Sequence, residues 1–247
     1  MFKLFVISMM VPFVVALPGK PQKTVVLVHG AFADGSSWEK VIPILQAKGV
    51  RVVAVQNPLT SLADDVAATK RAIDAQSGPV ILVGHSWGGT VITEAGANDK
   101  VAALVYVAAF APDAGQSSND LGKDGPPPPG LANIRPDSAG FLSLTPESVA
   151  TNFAQDLPAA QTAVMAVTQG PIAGKAFDDK VGNAAWKTKP SWFIVSEKDR
   201  MIQPDLERAM AKKINAKTTA LPTSHVPMLS RPNDVATVIL AAAASIE

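Results

Sequence analysis

The sequence contains no cysteine. This absence excludes disulfides, thiolate metal sites and a cysteine nucleophile, although it does not identify the compartment, because many exported proteins also lack disulfides. An excess of charge is missing as well: 22 basic residues stand against 21 acidic ones, and no run of Lys and Arg forms a stripe for a polyanion. We therefore expect no nucleic-acid partner.

An apolar run long enough to cross a membrane is also missing at the N-terminus. The run at residues 4–17 follows Lys3 and is shorter than the roughly 20 apolar residues that a spanning helix needs, so we expect no membrane span. A basic residue, an apolar stretch and small residues at Val14 and Ala16 are typical of a signal peptide. We predict a signal peptide at residues 1–16 and export to the periplasm or medium. If the segment is instead an extension from an upstream start codon, the protein is cytoplasmic.

The rest of the chain alternates between apolar strands and amphipathic helices. Continuous apolar strands that alternate with helices are typical of a mostly parallel, doubly wound α/β sheet with both faces covered. The predicted strands are residues 24–28, 50–55, 80–83, 101–108, 192–195 and 217–221. The predicted helices are residues 38–48, 62–75, 91–97, 205–213 and 235–244.

The alternation stops between residues 112 and 189, where prolines separate short helix-like pieces at 147–155 and 159–168 with no strand between them. A structureless loop of this length is uncommon inside a compact domain. We therefore predict a helical lid at 112–189, inserted into a core formed by 24–111 and 190–247. Its apolar residues either cover a hydrophobic acyl or aryl group or pack the lid onto the core. These residues include Phe141, Leu142, Phe153, Val164, Met165 and Trp186.

A candidate nucleophile lies in the sequence from Gly84 to Gly89, Gly-His-Ser-Trp-Gly-Gly. It fits the G-x-S-x-G pattern and lies between a predicted strand and a predicted helix, as that motif requires. A sharp strand-to-helix turn would project the hydroxyl of Ser86 above the sheet. The alternative is a glycine-rich turn with an incidental serine.

A serine hydroxyl needs a base, and the chain offers His29, His85 and His225. His85 adjoins Ser86 on a tight turn and should point away from its hydroxyl, whereas His29 ends the first strand. His225 follows the last predicted strand in a loop and completes the chain order of nucleophile, acid and histidine that this type of site requires. We therefore predict that His225 is the base, the alternative being an ordinary loop histidine.

The acid that orients the base is predicted to be Asp199, which directly follows the strand at 192–195 and would share its sheet edge with the other two residues. Glu197 and Asp205 are rivals, and Asp199 could instead cap a turn or pair with Arg200.

Attack of a serine on a carbonyl group would form a tetrahedral intermediate with a negatively charged oxygen. Two backbone N–H groups are needed to bind this oxyanion. The residue after the nucleophile, Trp87, is one expected donor. The loop after the first strand supplies the other, which we assign to Ala31 with Phe32 as the alternative.

Together, four features resemble the α/β-hydrolase superfamily: Val28-His29-Gly30-Ala31, the Gly84–Gly89 motif, Ala108–Asp113, and the pair Asp199 and His225. The resemblance covers nearly everything from Thr24 onward, is weakest in the lid, and is strongest to the branch with plant methylesterases, hydroxynitrile lyases and small bacterial esterases. It implies the triad Ser86, Asp199 and His225, the donors Ala31 and Trp87, and no cofactor or metal. It also implies a substrate pocket beside Phe110, and Phe32 is expected in the same pocket.

Departures from the relatives narrow the expected reaction. Hydroxynitrile lyases of this branch carry threonine where this chain has Gly30, and lysine where it has Val226, so we do not expect lyase activity. Haloalkane dehalogenases and epoxide hydrolases on this fold attack with an aspartate at the position where this chain has Ser86, so we expect neither of these activities. We expect hydrolysis of carboxylic esters of small hydrophobic substrates through an acyl-enzyme. The alternatives are a lactone hydrolase, an amide hydrolase, a perhydrolase or a ligand-binding receptor on the same fold.

Overall fold

A computed structural model describes residues 22–123 and 125–246. The predicted signal peptide at 1–16 lies outside the described residues. The N-terminal half of the core contains four strands and three helices. The strands are β1 (Thr24–Val28), β2 (Arg51–Val55), β3 (Val80–His85) and β4 (Val101–Val107). The helices are α1 (Ile42–Ala47), α2 (Leu62–Asp74) and α3 (Trp87–Ala95), and a 3₁₀ turn, Gly35–Trp38, precedes α1.

The segment between the two halves of the core, residues 112–189, contains short elements of several kinds and is called the cap below. Its helices are α4 (Ser118–Leu121), α5 (Pro146–Ser148) and α6 (Ala159–Thr168), with a π-helical turn at Val149–Phe153. Its 3₁₀ turns are Pro129–Asn133, Gly174–Asp178 and Ala185–Lys187. Its strands are β5 (Ile134–Pro136), β6 (Phe141–Leu144) and β7 (Ile172–Ala173).

The chain then returns to the core. Strand β8 (Ser191–Ser196) is followed by α7 (Pro204–Lys213), β9 (Lys217–Leu221), α8 (Pro227–Ser230) and α9 (Pro232–Ala244).

The core strands form one six-stranded parallel sheet in the order β2-β1-β3-β4-β8-β9. Strands β1 and β3 are buried at every residue, because helices cover both faces of a parallel sheet. Helix α2 packs against α3, whereas α1 packs against α9, which also contacts β3, β4 and β8. The predicted doubly wound parallel sheet is confirmed.

The lid predicted to be helical is only partly so, because β5, β6 and β7 form a three-stranded antiparallel sheet on either side of the predicted helical pieces at 147–155 and 159–168. These strands are too short to show a period of two, and β7 pairs with a strand almost thirty residues earlier in the chain. One local signal was present in the hairpin between β5 and β6. Asp137 Oδ1 accepts the N–H groups of Ala139 and Phe141, at 2.8 and 2.9 Å, and Gly140 has a φ of 82°.

The order of the strands places a crevice at the carboxyl ends of β1 and β3. The chain goes from β1 to β2 on one side and continues with β3 on the other, so the loops after β1 and β3 diverge there. Ligands of open α/β sheets bind at such switch points. Among the described residues, no helix is long and apolar enough to cross a membrane.

Candidate active site

Ser86 lies on the sharp turn that joins β3 to α3. Its backbone has a φ of 53° and a ψ of −121°, a strained conformation for a residue with a side chain. Two glycines allow the turn: a Cβ on Gly84 would lie 2.4 Å from Gly88 O, and a Cβ on Gly88 would lie 2.5 Å from Val28 O. The motif therefore forms the strand-to-helix turn that its sequence predicted.

The backbone carbonyl of Ser86 connects this turn to the segment that follows β4. It accepts the N–H of Gly89 at 2.9 Å and the N–H of Phe110 at 3.2 Å. A Cβ on Gly89 would lie 2.2 Å from Phe110 O, so only glycine permits this approach. Phe110, expected beside the substrate, thus also helps to hold the turn.

His225 and Asp199 are in direct contact. Nδ1 of His225 lies 2.5 Å from Asp199 Oδ2, and both side chains are buried. The other carboxylate oxygen, Oδ1, accepts the N–H groups of Met201 and Ile202 at 2.6 and 2.9 Å. Because the two backbone N–H groups hold Oδ1 in place, the carboxylate keeps one orientation. Its Oδ2 therefore directs the imidazole of His225.

Neither alternative for the acid pairs with His225. Glu197 and Asp205 pair with Arg208 at 3.4 and 3.0 Å, and the side chain of Asp205 is 98% exposed.

Ser86 and His225 both line a cavity of about 800 Å³ between the sheet edge and the cap. In the described chain, no hydrogen bond joins Ser86 Oγ to the imidazole in this conformation. Hydrogen bonds between a nucleophile and its base are often long before substrate binds. Ser86 and His225 thus meet at one opening at the carboxyl edge of the sheet, with Asp199 buried against His225.

Of the expected oxyanion donors, Ala31 and its alternative Phe32 border the same cavity, whereas Trp87 directly follows Ser86. Phe32 has a φ of 59°, which is rare for a bulky side chain and stores strain next to the site. Trp87 is the first residue of α3, so its N–H has no acceptor within the helix and is free for an anion.

The two other histidines are occupied elsewhere. His29 Nε2 accepts the N–H of Asn57 at 2.9 Å, and burial lowers the pKa of His29. His85 Nε2 lies 2.8 Å from the carbonyl oxygen of His225. Burial, followed by repulsion from His225, lowers the pKa of His85 well below its usual range. His85 is therefore neutral and holds the backbone of His225.

Two buried carboxyl groups near the site were not predicted. Asp65 accepts the indole N–H of Trp87 at 2.7 Å and the N–H of Leu59 at 2.8 Å. Glu207 Oε2 accepts the N–H of Ser196 at 2.9 Å, while its Oε1 is buried with no donor against it in the described chain. Burial, together with the adjacent Asp199, raises the pKa of Glu207 well above its usual range. Burial therefore favours the neutral form of the Glu207 carboxyl, which lies beside Asp199. Both residues lie on exposed-looking amphipathic helices, and no sequence signal marked them.

The walls of the cavity are mainly apolar, and only part of the predicted set contributes. Phe32 and Phe110 line the cavity as expected. Of the six apolar cap residues considered from the sequence, only Leu142 does so. Other apolar contributions come from Leu121, Leu131, Ile134, Phe177, Met201, Ile202 and Leu206.

The remaining cap residues of that set pack elsewhere. Phe153 is buried with its ring edge-on to His225, and Trp186 donates its indole N–H to Pro112 O at 2.9 Å. Val164 and Met165 border a separate cavity of about 270 Å³. These four side chains do not line the main cavity, so of the two alternatives the contacts do not support covering a substrate group for them.

Among the described residues, no group of three or more His, Asp or Glu side chains is arranged to hold a metal ion.

A profile of the alpha/beta hydrolase family matches residues 25–238. The chain belongs to the α/β-hydrolase family. This α/β-hydrolase is 28% identical over 253 residues to a pyrethroid hydrolase of Sphingobium wenxiniae, with 87% of this chain and 85% of the relative covered. It is 28% identical over 249 residues to Methylesterase 3 of Arabidopsis thaliana, covering 87% and 94% of the two chains. These hydrolase and esterase relatives support an enzyme of the α/β-hydrolase class.

The fold of this α/β-hydrolase also matches solved structures. A pyrethroid hydrolase from Sphingobium faniae JZ-2 superimposes with a TM-score of 0.75 at 23% identity, over 89% of this chain and 97% of that chain. At this identity the match shows the fold.

Gly30 distinguishes this α/β-hydrolase from the lyases that it resembles. A Cβ on Gly30 would lie 2.6 Å from Ser86 Cβ and 2.9 Å from His85 O, so the threonine of the lyases does not fit here without a shift of the nucleophile turn. Val226, which stands in place of their lysine, is buried.

Proposed function

We propose that the protein is a serine carboxylesterase in which Ser86 is the nucleophile, His225 the base and Asp199 the orienting acid. The observation that carries the proposal is the buried His225–Asp199 hydrogen bond of 2.5 Å, with its imidazole opening onto the cavity that Ser86 lines. An imidazole fixed by a carboxylate on one nitrogen presents the other to the substrate side, as acyl transfer requires.

In the proposed reaction, Ser86 Oγ attacks the ester carbonyl and passes its proton to His225 Nε2. Asp199 holds the imidazole and stabilises the imidazolium, while the N–H groups of Trp87 and Ala31 bind the oxyanion. The alcohol leaves with the proton from His225, which forms the acyl-enzyme. A water molecule then gives a proton to His225, attacks the acyl carbonyl and releases the acid, restoring Ser86.

The cavity supports esters with a bulky hydrophobic group rather than short alkyl esters. Its volume of about 800 Å³ falls within the range of roughly 300 to 1,000 Å³ that is usual for drug-sized ligands. The pyrethroid hydrolase among the relatives agrees with such a substrate. The absence of room at Gly30 supports hydrolysis over cyanohydrin cleavage.

The proposal is tested with p-nitrophenyl esters of increasing acyl length and one pyrethroid ester. We expect turnover to rise to a medium acyl length and to vanish in Ser86→Ala. The matched control is Ser191→Ala, which should retain turnover. Ser191 is a buried serine at the start of β8, and its hydroxyl donates a hydrogen bond to Lys189 O. A fluorophosphonate should add mass to Ser86 alone. A folded protein that hydrolyses none of these esters, or a Ser86→Ala variant that still does, contradicts the proposal and points to lactones, amides or ligand binding.

A further inference from the structure

Three side chains of the cap touch the two loops that carry the acid and the base. The acid loop, residues 197–203, follows β8, and the base loop, residues 222–226, follows β9. The cap residues form one short segment, 153–156, which begins at the last residue of the π-helical turn Val149–Phe153. Single π-helical turns occur frequently at functional sites.

Asp156 holds the base loop at the residue before His225. Its Oδ2 accepts the N–H of Ser224 at 2.9 Å, and its Oδ1 accepts the hydroxyl of Ser224 at 2.5 Å. Ser224 is buried, whereas Asp156 is exposed. A buried N–H needs an acceptor, and the cap supplies it, so the position of this peptide depends on the cap.

Gln155 holds the acid loop in the same way. Its side-chain N–H donates to Lys198 O at 2.7 Å. That carbonyl belongs to the planar peptide bond between Lys198 and Asp199, so the hydrogen bond restrains the backbone of Asp199 as well. The amide of Asp199 is anchored on its other side by Ser196 O at 3.1 Å.

Phe153 completes the contact by packing on the base itself. Its ring lies edge-on to the imidazole of His225, with centroids 5.2 Å apart and planes at 61°. It also packs edge-on against His85, at 6.4 Å, and is itself buried. The segment 153–156 thus restrains the imidazole of His225, the residue Ser224 before it, and the peptide bond that precedes Asp199.

We propose that the cap segment 153–156 positions the triad, with Asp156 and Gln155 as positioning residues for His225 and Asp199, an inference that rests on the proposed esterase function. The cap then has a role beyond enclosing the cavity, since a movement of this segment displaces base and acid together. Positioning matters because displacement of a catalytic group by about 1 Å costs on the order of 100-fold in rate.

The test compares Asp156→Ala with Asp156→Asn and with a control elsewhere in the cap. The control is Asp179→Ala, which removes a similar bond between a cap carboxylate and a core amide, from Leu62 N–H at 3.0 Å. We expect Asp156→Ala to lower kcat by about 10- to 100-fold with KM changed less than about threefold. Asp156→Asn should restore kcat to within about threefold, because its oxygen accepts the Ser224 N–H and the hydroxyl turns to accept from the new amide.

A second measurement does not depend on turnover. The Nδ1 proton of His225, assigned by its absence in His225→Ala, should give a low-field ¹H resonance that shifts or broadens in Asp156→Ala and not in Asp179→Ala. Gln155→Ala should perturb the same resonance and serves if Asp156→Ala does not fold. Unchanged kcat and an unchanged resonance in Asp156→Ala, or equal losses in Asp179→Ala, would overturn the inference. Absence of turnover in the unsubstituted protein overturns the esterase proposal instead, while the resonance still tests the positioning.

Discussion

The carboxylate of Asp65 accepts the indole N–H of Trp87 at 2.7 Å, on the helix-starting residue directly after Ser86. Burial raises the pKa of Asp65 to about 6. Asp65 also accepts the N–H of Leu59, whose carbonyl in turn accepts the N–H of Ala173 in the cap at 2.8 Å. Three successive hydrogen bonds, from Trp87 to Asp65, to Leu59 and to Ala173, therefore link the turn that carries Ser86 to the cap.

The first prediction concerns the pH dependence of stability. Because the pKa of Asp65 is higher in the folded state, protonation stabilises the fold fully below about pH 4, and this contribution is lost as the pH rises through about 6. The rise in the pKa of Asp65 from its ordinary value of 3.8 to about 6 corresponds to about 3 kcal/mol of unfolding free energy. Asp65→Asn should abolish this change, so the difference in unfolding free energy between the two proteins should vary by about 3 kcal/mol from pH 4 to 7 in urea titrations. A constant difference contradicts the assignment.

Trp87→Phe separates the indole of Trp87 from its backbone amide. The substitution leaves the buried oxygen of Asp65 without its donor, which should cost about 1 to 3 kcal/mol of unfolding free energy. The backbone N–H remains, so kcat/KM should stay within about threefold of its original value. Thermal unfolding and ester hydrolysis measure the two effects. Loss of activity at unchanged Tm would show that the side chain, rather than the amide, acts at the site.

Glu207→Gln should preserve the arrangement around Asp199. A glutamine oxygen can accept the Ser196 N–H, and the amide is neutral, like the carboxyl form that burial favours beside Asp199. Since the pKa of Glu207 is raised in the fold, its protonation stabilises the protein below the usual carboxyl range, and this stability is lost as the pH rises. The variant should therefore gain stability relative to the original protein between pH 5 and 8, with kcat retained.

Glu207→Leu is the matched control, since it removes the hydrogen bond from the Ser196 N–H and puts an apolar side chain of similar size in its place. It should lower kcat by about tenfold or more, because the end of β8 loses this anchor just before the loop that carries Asp199, and the imidazole is less firmly directed. If Glu207→Gln and Glu207→Leu have equal kcat values, the polar group of Glu207 has no part in activity.

Gly30→Ala tests the close approach of the loop after β1 to the nucleophile turn. The new Cβ would lie 2.6 Å from Ser86 Cβ, so the turn must shift and kcat should fall by about 100-fold. Gly182→Ala is the control, because a Cβ there meets its nearest atom, an oxygen of Glu94, at an ordinary 3.7 Å. Equal kcat values in both variants would show that the turn at Ser86 can shift without loss of activity.

Much of the core could be predicted from local patterns. The strand Thr24–Val28 and the helix Ala159–Thr168 have the predicted bounds, since an apolar β-branched run and a proline-bounded helical segment are both local signals. The helix predicted at 38–48 is instead a 3₁₀ turn and the short helix α1. Pro43 in its first turn sets a later start, which apolar spacing alone did not reveal.

The amino-acid sequence by itself determined the parallel sheet and the motif around Ser86, because apolar strand runs and glycine spacing are signals that extend over only a few residues. It also singled out His225 and Asp199, since few residues of the required type follow the right strands. Only the tertiary structure decided the antiparallel strands of the cap, the roles of Asp65 and Glu207, and the contacts of Gln155 and Asp156 with the two loops. Those features join residues that are far apart in the chain, and burial and hydrogen bonding between such residues exist only once the chain has folded.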